Sequence, residues 1–279
     1  MTKKENDRYS SNSLVRGLAI LRLFHAGQPT MSLAEIASQL GVSRTSPFRL
    51  LFTLQSLGYL HQDENTKRYE LTPKVLELGF AYLNSLQLPD IARPYLERLR
   101  DETGASTHIG VLDGREVVYV ARVPARGVTT ITVTVGSRLP AHATSLGKSL
   151  LAFQSEEQIK EMLIDAELQP YTTQTKTMIN DLLQELEVIR KQGYSLSNGE
   201  FESGIRSIAA PIFDNAGDVI AAVNVAAPEA ILPDEFLRVF ALPAILEAAE
   251  QLSSFFGYRP GKHRAGRQKG SENFANLKK

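Results

Sequence analysis

The stretch that decides the fold is Ser32-Leu33-Ala34-Glu35-Ile36-Ala37-Ser38-Gln39-Leu40-Gly41-Val42-Ser43-Arg44-Thr45-Ser46-Pro47-Phe48-Arg49-Leu50-Leu51-Phe52-Thr53-Leu54-Gln55-Ser56-Leu57-Gly58. Ser32 and Glu35 stand at capping-box spacing, so a helix is predicted to start there. Leu33, Ile36, Ala37 and Leu40 recur at i, i+3, i+4 and i+7 as one apolar face, and Gly41 falls where a left-handed C-cap residue belongs. A second helix is predicted to open at once, with Ser43 as N-cap and Arg44, Thr45 and Ser46 in its first turn, where free amides favour a phosphate. Leu50, Leu51, Leu54 and Leu57 form its expected inner face. The opposite side presents Thr45, Arg49, Phe52 and Ser56, flanked by Ser46, Phe48 and Thr53. Pro47 then sits at the fourth helical position, where it forfeits one backbone bond at tolerable cost. Two short helices about a glycine turn are a helix-turn-helix, and this outer face suits a major groove. Arg49 can read guanine bidentately, hydroxyls can take base edges or phosphates, and an exposed Phe can meet a thymine methyl.

An ordinary pair of core helices would show the same periodicity, so the flanking segments decide. Downstream, Tyr59 to His61 and Arg68 to Leu71 read as two strands joined by a polar loop, Gln62 to Lys67, with Lys67 and Arg68 as cations at the tip. A helix pair followed by such a hairpin is a winged helix-turn-helix. Upstream, a first helix carries Leu14, Leu18 and Leu21 at i, i+4 and i+7, with Val15, Ile20, Leu23 and Phe24 beside them, and is expected to complete a tri-helical core.

The chain has 31 Lys and Arg against 31 Asp and Glu, yet the balance is uneven along it. Residues 1–72 hold nine cations against six anions, residues 73–256 fifteen against twenty-four, and residues 257–279 seven against one. Basic ends flanking an acidic middle suit an N-terminal domain that meets phosphates while a larger domain does something else. No cysteine occurs, which excludes disulfides, thiolate metal sites and a cysteine nucleophile. The polar N-terminus lacks an apolar signal core and no run of some 18 apolar residues exists, so a cytoplasmic protein without a membrane span is expected.

After the wing, Thr72-Pro73 caps a linker helix predicted to run through about Ser85, stopped by Leu88-Pro89. An amphipathic helix, Ile91 to Glu102, follows. The period then becomes that of strands: 107–112 and 116–123 flank the turn Asp113-Gly114-Arg115, and 130–135 alternates. A helix is predicted over 143–153, acidic helices over 156–165 and 179–192, strands over 194–197, 205–213 and 219–226, and one long helix over 233–256 with Phe236, Phe240, Ile245 and Leu252 among its apolar positions. The class is α+β. Expected boundaries are a disordered arm over 1–12, the DNA-binding domain over 13–72, the linker over 73–88, a second domain over 89–257 and a basic disordered tail over 258–279.

Ser145-Leu146-Gly147-Lys148 has the S-x-x-K spacing of some acyl-transfer enzymes, in which a lysine activates the serine. The companion S-D-N and K-T-G segments are missing, and the favoured reading is a helix start capped by Thr144 or Ser145 whose amides can hold an anion. The five histidines, His25, His61, His108, His142 and His263, show no ligand spacing and read as surface or core residues. The loop 199–207, with two glycines, can close over a ligand, with Ser207 and Asn224 as polar groups on apolar strands and Ile208 and Val225 as neighbouring apolar lining. No catalytic set is complete, and no cofactor or metal is expected.

Four motifs then act together: S-L-V-R-G-L-A-I-L from Ser13, G-V-S-R-T-S-P-F-R-L-L from Gly41, G-S-R-L-P-A-H-A-T-S-L-G-K-S-L-L-A from Gly136, and G-I-R-S-I-A-A-P-I-F-D-N-A-G-D-V-I-A-A-V-N-V from Gly204. Through them the chain resembles the IclR family of bacterial transcriptional regulators over about residues 13–257. V-V-Y-V-A-R-V-P, R-L-P-A-H-A-T-S and L-P-A-I-L-E-A-A-E-Q-L look most like its β-ketoadipate-pathway regulators, the protocatechuate and 4-hydroxybenzoate type. The resemblance implies a winged helix-turn-helix, a linker helix that pairs chains into homodimers or homotetramers on an inverted-repeat DNA operator, and a GAF-like domain for a small carboxylate effector. It assigns that effector to amides at Ser145 and Leu146 and to positions Ser197, Ser207, Asn224 and Ala226, and the helix start itself offers the Gly147 amide as a third donor. Where other members carry aspartate, cysteine and two serines this chain has Ser197, Ser207, Asn224 and Ala226, so the effector cannot be copied from the glyoxylate-responsive member. Asn198 is the nearest polar substitute for the missing aspartate.

Overall fold

The computed structural model describes residues 10–43, 45–126, 133–163 and 167–259. Most of the expected terminal arms, residues 1–9 and 260–279, lies outside this set. The rest of those arms is built into the fold: the first helix begins at Asn12, and the Tyr258 ring stacks on Phe213 at 5.0 Å. The chain divides into two compact units between Leu86 and Gln87, so the linker helix groups with the N-terminal unit.

In that unit, α1 (Asn12–Arg22), α2 (Leu33–Gln39) and α3 (Phe48–Ser56) pack with a small antiparallel sheet of β1 (Thr30–Met31), β2 (Leu60–Gln62) and β3 (Tyr69–Leu71), in the order β1-β3-β2. The capping box of α2 forms: the Ser32 amide donates to Glu35 Oε2 at 2.7 Å and the Glu35 amide to Ser32 Oγ at 3.3 Å. Beyond the helix, Gly41 adopts φ +65°, as a helix C-cap glycine should.

Two expectations for the helices need correction. First, α3 begins at Phe48, not after Ser43. Pro47 is its N-cap, its carbonyl accepting from the Leu51 amide at 2.9 Å, while Ser43 and Ser46 close a separate turn. Proline disfavours helical backbone in the residue before it, which favours a helix that starts after Pro47 over one that runs through Ser46. Second, the core is Ile20, Phe24, Met31, Ile36, Leu51, Leu60 and Tyr69, whereas Leu14, Val15, Leu18 and Leu57 are exposed. α1 has two apolar stripes, and periodicity alone cannot say which one faces its own core.

A 3-10 turn, Pro73–Val75, capped by Thr72, leads into α4 (Leu76–Ser85). Leu76, Leu78, Phe80 and Tyr82 of that segment are all exposed.

The second unit opens with α5 (Leu88–Thr103). Pro89 lies in its first turn, so Leu88-Pro89 starts this helix rather than stopping the linker. Six antiparallel strands follow: β4 (Ser106–Asp113), β5 (Glu116–Val123), β6 (Arg138–Pro140), β7 (Ser195–Asn198), β8 (Ile205–Phe213) and β9 (Val219–Pro228). Their order is β6-β5-β4-β9-β8-β7, two three-stranded meanders joined through β4 and β9. Of the alternating segment 130–135, residues 130–132 lie outside the described set, and Val133 to Val135 form no strand.

Pairing alternates the strand faces. One face carries Val117, Tyr119, Ala209 and Ala222 and packs on α6 (Ser145–Leu151) and α8 (Ile179–Gln192), with α7 (Glu156–Leu163) beside them. The other face meets α5 and α9 (Leu242–Phe255), shown by Thr107 Oγ1 donating to the Leu96 carbonyl at 3.0 Å and by Ser253 Oγ accepting from the Phe213 amide at 3.0 Å. The single helix expected over 233–256 is interrupted by a π-turn, Leu237–Ala241. Pro243 has no N–H to return to the preceding turn, and widening that turn accommodates the loss. Of this segment's apolar positions Ile245 and Leu252 are buried, while Phe240 is exposed and stacks on Phe236.

Candidate functional site

The outer face of α3 carries Phe48, Arg49, Phe52 and Thr53, all exposed, with Thr45 and Ser43 in the preceding turn and also exposed. Ser43 Oγ and Thr45 Oγ1 lie 3.2 Å apart. Ser46 is turned toward α1, its hydroxyl accepting from Arg16 Nη1 at 3.4 Å. Arg44 lies outside the described residues. Two hydroxyls of the face are spent locally: Thr53 Oγ1 donates to the Arg49 carbonyl at 2.8 Å and Ser56 Oγ to the Phe52 carbonyl at 2.7 Å. Phe48, Arg49 and Phe52 are thus exposed side chains of this face, among the described residues, that can reach outward.

The wing tip is pinned by Asp63, whose Oδ1 accepts from the Thr66 amide at 2.7 Å, Thr66 Oγ1 at 2.8 Å and the Asn65 amide at 3.1 Å. The Thr66 amide, foremost among these donors, holds the Asp63 carboxyl below its usual range. Lys67 takes φ +56°, a conformation uncommon outside glycine, and is exposed at the tip. Arg68 departs from its expected role as a second tip cation. Its Nε donates to Thr30 Oγ1 at 2.9 Å, its Nη2 to the Thr30 carbonyl at 2.8 Å, and it pairs with Glu35 at 3.0 Å. Next to a buried Tyr69, strand alternation turns this side chain back to β1 and α2.

In the second unit, a cavity of about 60 Å³ lies between α6, the sheet and the loop over residues 199–204. Thr144 caps α6, its Oγ1 accepting from the Gly147 amide at 3.2 Å. That commits the Gly147 amide, and leaves the amides of Ser145 and Leu146 as those the helix cannot satisfy itself. Gly147 serves the site differently: a Cβ there would stand 2.2 Å from the Ala141 backbone, so glycine lets α6 approach the 141–143 turn. Ser145, Ser197, Ser207, Asn224 and Ala226 all line the cavity, gathered from α6, β7, β8 and β9 by the register Ser197↔Ser207↔Ala226. Ser145 Oγ is buried without a hydrogen-bond partner among the described residues.

Leu146 and Gly147, expected through their amides, are not among the lining residues, and three other expected residues lie elsewhere. Asn198 is exposed, one residue out of phase with Ser197, and its Oδ1 accepts from Arg206 Nε at 2.9 Å. Ile208 and Val225 pair with each other on the opposite sheet face, because a one-residue step reverses the direction of a strand side chain. In their place the cavity is closed by Phe201, Glu202 and Ile205 of the loop region and by Tyr119 and His108 of the sheet.

His108 had no motif to mark it. Paired opposite Asn224 across β4 and β9, it is almost wholly buried, with Nδ1 2.8 Å from Asn224 Oδ1 and its ring edge-on to Tyr119 at 5.4 Å. Burial lowers its pKa to about 4, helped by the nearby Arg122 cation, and Nε2 is left without a partner among the described residues. The same desolvation pushes the Tyr119 hydroxyl up. These residues come from strands more than a hundred positions apart, and no local period records such a pairing.

The S-x-x-K reading fails on geometry. Lys148 is fully buried and its Nζ is held by Glu200 Oε1 at 2.6 Å, Glu200 Oε2 at 2.8 Å and Glu185 Oε1 at 2.8 Å. An ammonium clamped by two carboxylates has no lone pair to offer Ser145. The ion pair ties the cavity loop, which carries Glu200, to the cavity helix, which carries Lys148. Among the described residues no cluster of three or more His, Asp or Glu could hold a metal, and no helix is long and apolar enough to cross a membrane.

Comparison with known proteins agrees with this layout. Residues 13–64 match the family model described as the IclR helix-turn-helix domain, and residues 80–254 that described as the bacterial transcriptional regulator IclR C-terminal domain. The chain is 36% identical over 241 residues to the Pca regulon regulatory protein of Pseudomonas putida, covering 86% of this chain and 82% of that one. Its fold matches the crystal structure of Thermotoga maritima IclR with a TM-score of 0.72 at 31% identity, over 88% of this chain and 99% of the other. The inducer-binding domain of a PobR double mutant from Acinetobacter, in complex with 3-hydroxybenzoic acid, matches 60% of this chain and 98% of its own, with a TM-score of 0.56 at 33% identity.

Proposed function

The chain belongs to the IclR family and is a DNA-binding transcriptional regulator, and from that premise we propose that α3 reads an operator while the cavity beneath α6 takes a small carboxylate that modulates the reading. Arg49, Phe48 and Phe52 are the base-facing residues in this reading, with Ser43, Thr45 and Lys67 toward phosphates. Chains pair through the exposed apolar residues of α1 and α4, the resulting homodimers bind an inverted repeat, and effector domains can join dimers into tetramers.

The observation that carries the effector reading is Ser145 Oγ, a buried hydroxyl without a partner among the described residues, which lines the cavity where the first amides of α6 begin. A carboxylate there accepts from the hydroxyl and the Ser145 and Leu146 amides. The named role of the Pseudomonas relative and the ligand of the Acinetobacter domain support an aromatic-pathway acid, such as 4-hydroxybenzoate, protocatechuate or a β-ketoadipate-like acid. At about 60 Å³ the cavity is well below the roughly 300 Å³ at which ligand sites begin, so binding requires the loop to move. Gly199 and Gly204, at φ +69° and +79°, bound the loop, and Glu200 ties it to Lys148. Footprinting on the DNA upstream of the protein's own coding region, with and without each acid, tests the proposal. Protection that is absent, or indifferent to every acid, overturns it.

A further inference from the structure

Two residues that line the same cavity each carry a buried polar atom with no hydrogen-bond partner among the described residues, and the two atoms are of opposite kinds. Ser145 Oγ carries a proton it can donate. His108 offers only an acceptor: Asn224 Oδ1 cannot donate, so Nδ1 holds the proton of the neutral ring and Nε2 presents a bare lone pair. Native interiors rarely leave such an acceptor unpaired. Asn224 holds Nδ1 and Tyr119 packs against the ring at an interplanar angle of 84°, so turning the ring toward another partner would break both contacts. Both residues line one cavity, the helix end on one wall and the sheet on the other.

We propose that His108 selects the effector: its Nε2 accepts a hydrogen bond from a hydroxyl of the bound acid, so the site favours a hydroxy-substituted monocarboxylate over its unsubstituted parent and over a dicarboxylate. This rests on the effector reading above, with the carboxylate at Ser145. A molecule with an acceptor at one end and a donor at the other satisfies both orphaned groups. A second carboxylate would set lone pairs against the lone pair of Nε2, and the buried ring resists the protonation that would relieve this. Loss of the ligand hydroxyl leaves Nε2 unpaired in a closed site, which is how a hydrogen-bonding pocket rejects the analogue that lacks the group.

The test is calorimetric titration of the full chain with benzoate, 3-hydroxybenzoate, 4-hydroxybenzoate, 4-methoxybenzoate and terephthalate. One hydroxybenzoate should bind at least about tenfold more tightly than benzoate, with the methoxy acid and terephthalate no better than benzoate. His108→Phe should reduce that ratio to within about twofold, and His108→Gln, which keeps an acceptor, should retain part of it. A nitrogen-15 imidazole spectrum of the unaltered protein gives a readout independent of variant folding: the unprotonated Nε2 signal should move with the hydroxybenzoate and not with benzoate. Equal binding of benzoate and both hydroxybenzoates, or a preference that survives in His108→Phe, overturns the assignment to His108 while leaving the effector reading standing. Binding of none of the five acids overturns both.

Discussion

At Gly147 a single methyl group decides whether α6 can lie where it does. Its Cβ would come within 2.2 Å of Ala141 Cα and O, backbone atoms that no rotamer change can move aside. Gly147→Ala should therefore destabilise the second unit by about 1–3 kcal/mol or more, read as a drop of several degrees in its melting temperature. An unchanged melting curve would show that the 141–143 turn yields. His108 makes a second prediction at this scale. Its folded pKa, about 4, lies below the unfolded value near 6.5, so between those limits the unfolded chain binds more protons. The neutral ring's contribution is fully present above about pH 6.5 and is lost as pH falls toward 4, to the extent of about 3 kcal/mol. Comparing denaturant midpoints at pH 7 and 4.5, His108→Gln should lose less stability on acidification than the parent, and parallel losses would refute the assignment. Ser145, Ser197 and Ser207, which the resemblance points to, do line one cavity, whereas Gly147, expected as an anion-holding amide, instead donates to the Thr144 cap. His108 was not legible in the sequence, since what gives it meaning is Asn224, a strand partner 116 positions away.

Among the elements, those whose boundaries rest on local chemistry were readable: the capping box of α2, the Thr72 cap, the hairpin at Asp113-Gly114-Arg115 and strand β8 over Ile205–Phe213. Those that depend on which apolar stripe meets which partner were not, as α1 and Leu57 show. In α3 the missed boundary was a local one, Pro47, weighed as a tolerated interior residue when it is the cap. The correction sharpens what α3 and the wing should do. Arg49→Ala should cost about 1–3 kcal/mol on the specific operator and far less on random DNA. Lys67→Ala should weaken both alike and reduce the salt slope by about one. Equal losses for Arg49→Ala on the two DNAs would make it a phosphate clamp. Arg68→Ala should act instead on folding, by releasing β3 from Thr30 and Glu35. A lowered melting temperature with an unchanged salt slope is the expected pair of results.

For the molecule as a whole, the exposed leucines of α1 and the apolar residues of α4 need an explanation that the isolated chain does not provide. Leu14, Leu18, Leu76, Leu78 and Phe80 are each about half exposed or more, a density of apolar surface that monomers seldom display. If these faces pair two chains, Leu18→Glu should yield monomers in sedimentation at micromolar concentration, with the folded signal intact. The variant should also bind a single half-site about as well as the parent, yet lose most of its affinity for the inverted repeat. Coupling to the effector then obeys a stricter condition. A ligand changes DNA affinity only through its differential affinity for the free and DNA-bound forms, so the two effects must be reciprocal. Whatever factor a hydroxybenzoate imposes on the operator dissociation constant, saturating operator must impose on the hydroxybenzoate dissociation constant, in the same direction. Titrating the acid into free protein and into the operator complex measures the second factor, and DNA titration with and without acid measures the first. Matching factors above about fivefold would establish the acid as an allosteric effector. An acid that binds equally well to both forms would occupy the cavity without regulating anything.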